Sequence, residues 1–360
     1  MENPLPSDQN LTYPDDRRKI LYYFFMVSHL LTASAVLPVT GAVSQSSAID
    51  ARLDAFAGLQ RAQAGSLLLT VFGDLVIPRG SRVWIGSLIQ LLSGLGVNER
   101  MIRTAVFRLA QENWLSAQAE GRRADYQLTE VGSQRISEAS RRIYAGQSTS
   151  WDQRWRLIFV VKEVNGLQRE LLRKALFWQG FGSLGPGCFV HPTTDLDGVF
   201  AMLSTEGLGA LSRSLLPIRA ADAAIAQSAS SHDLVMQAWN LEQLAQRYHG
   251  FLEIYQPILQ EIQHQAAQPI GPARAALIRL LLIHDYRRLL LRDPDLPAEL
   301  LPAHWPGEAA RALCRSLYRL LLTPSEQFLD QNLMTADGKG LPAAGPILAT
   351  RFQGPDPLLD

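Results

Sequence analysis

The chain has 360 residues, 47% of them hydrophobic, enough to build substantial cores and more than one domain. Lys plus Arg and Asp plus Glu each total 34, so overall charge offers no attraction to nucleic acid or to an anionic membrane, and any basic surface is local. Two cysteines, Cys188 and Cys314, stand far apart and outside any Cys-x-x-Cys or His/Cys cluster, which argues against structural zinc and for a reducing compartment, the cytoplasm.

The amino terminus imitates a secretory signal: Arg17, Arg18 and Lys19 precede the apolar run "ILYYFFMV" (20–27), and small residues follow. Asp15 and Asp16 dilute the positive flank, and Ser28, His29, Thr32 and Pro38 break the run short of the roughly 20 residues that span a bilayer. Residues 1–48 therefore read as an extension, disordered or translated from an upstream start, with Met26 an internal alternative and no membrane association expected.

From Ser66 the pattern becomes regular. "SLLLTVFGDLVIPRG" reads as a helix ending near Pro78-Arg79-Gly80, and "RVWIGSLIQLLSGLG" as a second that stops at Gly94 or Gly96. A third helix starts after Asn98, whose side chain is suited to cap the free N–H groups, and runs to about Glu112. At 100° per residue, Met101, Ile102, Ala105, Val106 and Leu109 share one face and Arg100, Arg103, Thr104, Phe107, Arg108 and Gln111 the other, so the helix has a core side and a basic side whose arginines are expected to stand unpaired.

Two short strands follow, Leu115 to Glu120 and Ala124 to Thr129, joined by a turn at Gly121-Arg122-Arg123. Three helices and a basic-tipped hairpin are the order of a winged helix-turn-helix, whose third helix enters the major groove while the wing reaches the neighbouring backbone or minor groove. Between Arg79 and Arg142 ten arginines face six carboxylates, a local charge of +4. The set expected to contact double-stranded DNA is Asn98, Arg100, Arg103, Thr104, Phe107 and Arg108 on the helix, with Arg122 and Arg123 on the wing. Phe107 suits either a thymine methyl or packing beneath the wing.

Beyond the polar linker 146–150, strand-like and helical stretches alternate: Arg156 to Val161 is a strand, "LQRELLRKALFWQG" a helix, "GCFVHP" a strand, "LDGVFAMLSTEG" a helix and "RSLLPIR" a last strand. From Ser231 onward long amphipathic helical runs dominate. Gly180, Gly182 and Gly185 spell G-x-G-x-x-G, but they follow a helix and lead into a strand, the reverse of the setting that cradles a pyrophosphate. No catalytic constellation, metal-ligand cluster or cofactor motif stands out, and the protein reads as a non-enzyme.

"RVWIGSLIQLLSGLGVNERMIRTAVFRLAQENWL" and "GRRADYQLTEVG", then "WDQRW", "WQGFG", "LLLIHDYRRLLLRDPDLPAELLPAHWPG" and the late Arg351-Phe352 resemble the PaaX family of repressors of bacterial phenylacetic acid catabolism, from about Ile49 to Phe352. The resemblance implies an α+β chain of three parts: a winged helix-turn-helix (49–145), a ferredoxin-like, Cas2-like middle domain (151–225) and a helical carboxy-terminal domain (231–352). It also implies repression released by phenylacetyl-CoA. Winged-helix repressors read paired half-sites as dimers, so a homodimer is the expected assembly, paired through the long carboxy-terminal helices. A CoA thioester needs cations for its phosphates and an apolar pocket for its aryl end. The candidates are His284, Tyr286, Arg287 and Arg288, with Trp178 and Trp239, and Tyr248 and Tyr255 as further aromatics. Two rivals remain: a regulator of the same family tuned to another acyl-CoA or aromatic effector, and a metal nuclease built on the middle domain, for which Glu163 is the one carboxylate near the end of the first strand.

Overall fold

The computed structural model describes residues 47–57, 64–144, 150–221, 225, 228–264, 269–346, 348 and 351–352, so the signal-like run and most of the extension lie outside the described residues. The first described helix, α1 (Ala48–Ala57), packs on the carboxy-terminal helices. Arg52 reaches Asp285 at 2.5 Å and the Tyr255 hydroxyl at 3.3 Å, while Ser47 donates to Glu261 at 2.6 Å.

α2 (Ala64–Thr70) runs on through a π-turn, Val71–Val76, and a short 3₁₀ turn, Ile77–Arg79, and ends at Gly80 with φ +90°, as the sequence predicts. The next segment departs from expectation. Arg82–Trp84 form a strand, β1, before helix α3 (Ile85–Ser93) begins, because their backbone pairs antiparallel with β3 (Arg123–Leu128). α4 (Glu99–Gln111) has the predicted cap: the Asn98 side chain accepts from the Met101 N–H at 2.9 Å. Its predicted core side is in place, with Ile102, Ala105, Val106 and Leu109 buried against α2 and α3. β2 (Leu115–Glu120) pairs with β3 in full register, Leu115 opposite Leu128 and Glu120 opposite Arg123, giving a sheet of order β1-β3-β2. The hairpin turn is Gly121-Arg122, one residue tighter than predicted, with Gly121 at φ +60°. α5 (Glu130–Tyr144) leads away from the sheet.

The middle region is a four-stranded antiparallel sheet of order β5-β6-β4-β7, built from β4 (Arg154–Val160), β5 (Gly182–Gly185), β6 (Cys188–His191) and β7 (Leu215–Ala221). With α6 (Gly166–Trp178) between β4 and β5 and α7 (Leu196–Thr205) between β6 and β7, the chain follows the βαββαβ path of a ferredoxin-like domain. One sheet face buries Ile158 with Leu172, Leu176, Val199 and Leu203 beneath the two helices. β5 is the strand that sequence reading missed: it carries Gly182 and Gly185 of the G-x-G-x-x-G string. A Cβ at Gly182 would lie 2.7 Å from Ala238, so this glycine serves close packing rather than phosphate binding.

The carboxy-terminal region is helical: α8 (Ser231–Ala238), α9 (Leu241–His264), α10 (Pro272–Leu290) and α11 (Pro306–Asn332). α10 is buried nearly all round, from Ala275 to Leu289, which identifies it as the central helix. It is held to the amino-terminal helices by buried charge. Asp74, in the π-turn, accepts from Arg279 Nε at 2.9 Å, from Arg351, from the Tyr144 hydroxyl at 2.6 Å and from the Tyr318 hydroxyl at 3.1 Å. Burial opposes ionisation of Asp74, but Arg279 and Arg351 outweigh it and hold the carboxyl below its usual value. Phe352 packs edge-on to Tyr144 and Tyr318, both at 5.3 Å, which closes the hub with the last described residues. Among the described residues no helix is long and apolar enough to cross a membrane.

Candidate nucleic-acid interface

The outward side of α4 carries the predicted residues, all exposed: Arg100, Arg103, Thr104, Phe107 and Arg108. Phe107 is 64% exposed, so among the described residues the hairpin does not cover it. The arginines are less free than expected. Arg103 turns back to Glu99 at 2.6 Å, one helical turn towards the amino terminus. Arg108 lies in the field of Glu112, at the end of the helix. Partial burial pushes the Glu112 carboxyl up to about 7, with Arg108 pulling it down, and among the described residues Glu112 Oε2 finds no hydrogen-bond partner. The exposed Arg103–Glu99 pair is weak and screened, so a phosphate can displace it. Thr104 Oγ1 donates to the Arg100 carbonyl at 2.8 Å, and Asn98 is committed to its capping bond. Among the described residues Arg100 has no ion pair.

On the hairpin, Arg122 projects from the turn with no ion pair among the described residues. Arg123 differs from expectation: its guanidinium lies over the Trp84 ring, 4.8 Å from the centroid, and donates to the Ala336 carbonyl at 3.3 Å. Among the described residues the hairpin tip thus offers one cation without an ion pair and one braced against β1. Sequence reading missed the brace because β1 is too short to announce itself and Ala336 is 213 residues away.

The six predicted effector contacts do not converge. His284 is fully buried, its Nδ1 3.2 Å from Thr70 Oγ1. Arg287 donates to the Ser66 carbonyl at 2.9 Å and to Ser66 Oγ at 2.5 Å, and burial, with Arg288 beside it, brings its guanidinium down to about 10. Both side chains hold α10 against α2. Tyr286 is buried against Phe251 at 5.6 Å, and Arg288 lies in the field of Asp285. Trp178 and Trp239 meet elsewhere, in a narrow cleft with Arg142 and Asp293, where Trp239 Nε1 donates to the Gly180 carbonyl at 3.0 Å. Tyr248 and Tyr255 are buried, their hydroxyls bonded to Asp293 and Asp285. A roomier cleft of about 460 Å³ opens between Trp155, Leu157 and Leu184 of the middle sheet and Ser230, Asp233 and Leu234 around the start of α8, and includes none of the six. Glu163 is exposed after β4, and among the described residues no three His, Cys, Asp or Glu side chains come together to hold a metal.

Three family profiles match the chain in order: PaaX-like protein over residues 63–132, PaaX protein central Cas2-like domain over 148–215, and PaaX-like protein C-terminal domain over 239–331. The transcriptional repressor PaaX of Escherichia coli (strain K12) is 36% identical over 292 residues, which cover 80% of this chain and 90% of that one. The chain belongs to the PaaX family. The PaaX profiles fall on the three regions in order: the first spans α2 to the start of α5, the second the ferredoxin-like sheet, the third the long helices from Trp239 to Gln331. Among solved structures, the uncharacterized protein Rv0674 from Mycobacterium tuberculosis is similar at a TM-score of 0.47 and 24% identity, over 72% of this chain and 96% of that one.

Proposed function

We propose that this protein is a transcriptional repressor of phenylacetate catabolism, acting in the cytoplasm, that binds operator DNA through a winged helix-turn-helix and is released by phenylacetyl-CoA. The observation that carries the reading is the outward face of α4, where Arg100, Arg103, Arg108 and an uncovered Phe107 stand beside an arginine-tipped hairpin. Membership of a family that includes the repressor from Escherichia coli supports it. In this reading α4 enters the major groove and Arg122 meets the adjacent backbone. Two copies pair through the carboxy-terminal helices, where Ile254 on α9 and Leu320 on α11 are exposed, to read paired half-sites.

The effector acts by differential affinity for the DNA-competent and DNA-incompetent states, so its site and α4 share a two-state element. The cleft of about 460 Å³ has the size and apolar walls that suit an aryl group. The test is fluorescence anisotropy of a labelled duplex from the promoter beside the gene, titrated with protein at fixed salt and then with phenylacetyl-CoA, with free phenylacetate as control. Release by the thioester alone is expected. Binding that the thioester leaves unchanged points to a different acyl-CoA or aromatic effector, and absence of sequence-selective binding overturns the repressor reading.

A further inference from the structure

The chain that leaves α11 folds into a small hairpin, 333–341. Leu341 N–H donates to the Leu333 carbonyl at 2.9 Å, Met334 bridges Gly340 antiparallel, Thr335 N–H donates to the Lys339 carbonyl at 2.9 Å, and Gly338 takes φ +84° in the turn. This hairpin is fixed to the wing. Trp84 N–H of β1 donates to the Met334 carbonyl at 2.9 Å, Met334 N–H donates to Ser87 Oγ at 3.0 Å, and Ala336 N–H donates to Asp125 Oδ1 at 2.6 Å. Trp84, Arg123 and Asp125 alternate onto one face of the three-stranded sheet, so the hairpin lies across that face towards its tip, and Asp125 beneath it is only 4% exposed.

The turn leaves the Lys339 ammonium its most exposed charge. Asp337 is tied into the turn: it accepts from Thr335 Oγ1 at 2.5 Å and from the Lys339 N–H at 3.2 Å, and its side chain is 32% exposed. The Lys339 side chain is 82% exposed, 2.8 Å from Asp337 and within electrostatic reach of Arg82 on β1 and Glu120 at the wing tip. Such an exposed pair yields readily to a phosphate.

We propose that the hairpin 333–341 is a second wing, which lays Lys339 on the phosphate backbone of bound DNA beside the tip of the first. The inference rests on the DNA-binding reading and extends it: the DNA-facing surface is completed by residues more than 200 positions from the hairpin they brace. It also ties the end of the carboxy-terminal region to the wing through backbone hydrogen bonds.

The test is the salt dependence of binding to the promoter duplex by the full chain and by Lys339→Gln, Lys339→Arg, Arg122→Gln and Lys162→Gln. Lys162 is exposed after β4, in the middle region and outside both hairpins, and its variant is expected to behave as wild type. Each phosphate contact contributes about 0.9 to the slope of log K against log salt, so Lys339→Gln is expected to lower the slope by about one, as Arg122→Gln does, and Lys339→Arg to keep it. A Lys339→Gln slope equal to wild type, with the Arg122→Gln slope reduced, overturns the second wing and leaves the first standing. No wild-type binding overturns both.

Discussion

Replacing Asp74 with asparagine should be the most damaging single-atom change in this protein. The Asp74 side chain is fully buried and its two oxygens accept from two guanidinium groups and two hydroxyls. An amide in its place turns an N–H₂ towards a donor whichever way it is set. With the oxygen kept for Arg351, Tyr144 and Tyr318, the nitrogen faces Arg279 Nε, which now donates at 2.9 Å. Glu326 still balances part of the charge, but Arg279 and Arg351 share a site with one carboxylate fewer. Removing one partner of a buried ion pair costs about 3–5 kcal/mol. In a chain of this size that corresponds to a fall in Tm of roughly 10 °C, read by circular dichroism and checked by urea unfolding. The groups act as a unit, so Asp74→Asn combined with Arg351→Gln is expected to cost less than the sum of the single variants, by on the order of 1–3 kcal/mol. A loss below about 1 kcal/mol for Asp74→Asn, or strict additivity, refutes the hub as the tie between the two regions.

His191 accepts from the Thr193 and Thr194 N–H groups at 3.1 and 2.9 Å, and burial, aided by Arg156 and Arg142 against a hydrogen bond to Pro294, brings its ring down from 6.5 to about 4. Its folded pKa is depressed, so the stability it contributes is complete above pH 6.5 and is lost as pH falls towards 4; the slope is at most about 1.4 kcal/mol per pH unit, and His191→Gln should flatten it in pH-dependent urea melts. Phe107→Ala should change stability by no more than about 0.5 kcal/mol while weakening DNA binding, since its ring meets solvent; an equal loss in both would make it a packing residue. Asn98→Ala should cost about 1 kcal/mol through the lost cap, measured by thermal melting. Arg100→Ala should lower the salt slope by about one if Arg100 meets phosphate, or relax base preference at a cost of about 1–3 kcal/mol if it meets a base.

What the sequence made legible was local. The cap at Asn98, the two faces of α4 and the strand Leu115–Glu120 follow from spacing within a dozen residues, and each is found where the spacing puts it. β1 was hidden because "RVW" flows into an apolar helical run and becomes a strand only when β3 arrives to pair with it. β5 was hidden because "GSLG" has glycines where a strand signal has branched residues, and its glycines answer to the packing of α8. The pairing of Arg103 with Glu99 was legible in principle, since the acid lies four residues earlier, a turn that a search towards the carboxy terminus passes over. The rest depends on contacts more than 200 residues apart. Asp74 with Arg279 and Arg351, Arg123 with Ala336, and Arg52 with Asp285 leave no trace in any window of sequence. For the same reason "IHDYRR" looked like a ligand site, when His284 and Arg287 face Thr70 and Ser66 across a helix junction.

The central claim is that the outward face of α4 and the hairpin tip together read DNA. Its most direct test is charge reversal of two exposed cations without an ion pair among the described residues, in the variant Arg100→Glu/Arg122→Glu, assayed by anisotropy on the promoter duplex against wild type at one salt concentration. Both positions are exposed, so the melting curve should match wild type. Sequence-selective binding is expected to be lost, by roughly a hundredfold, in a protein that remains folded. Binding within a few-fold of wild type in the folded variant would contradict it and move the DNA surface elsewhere on the chain.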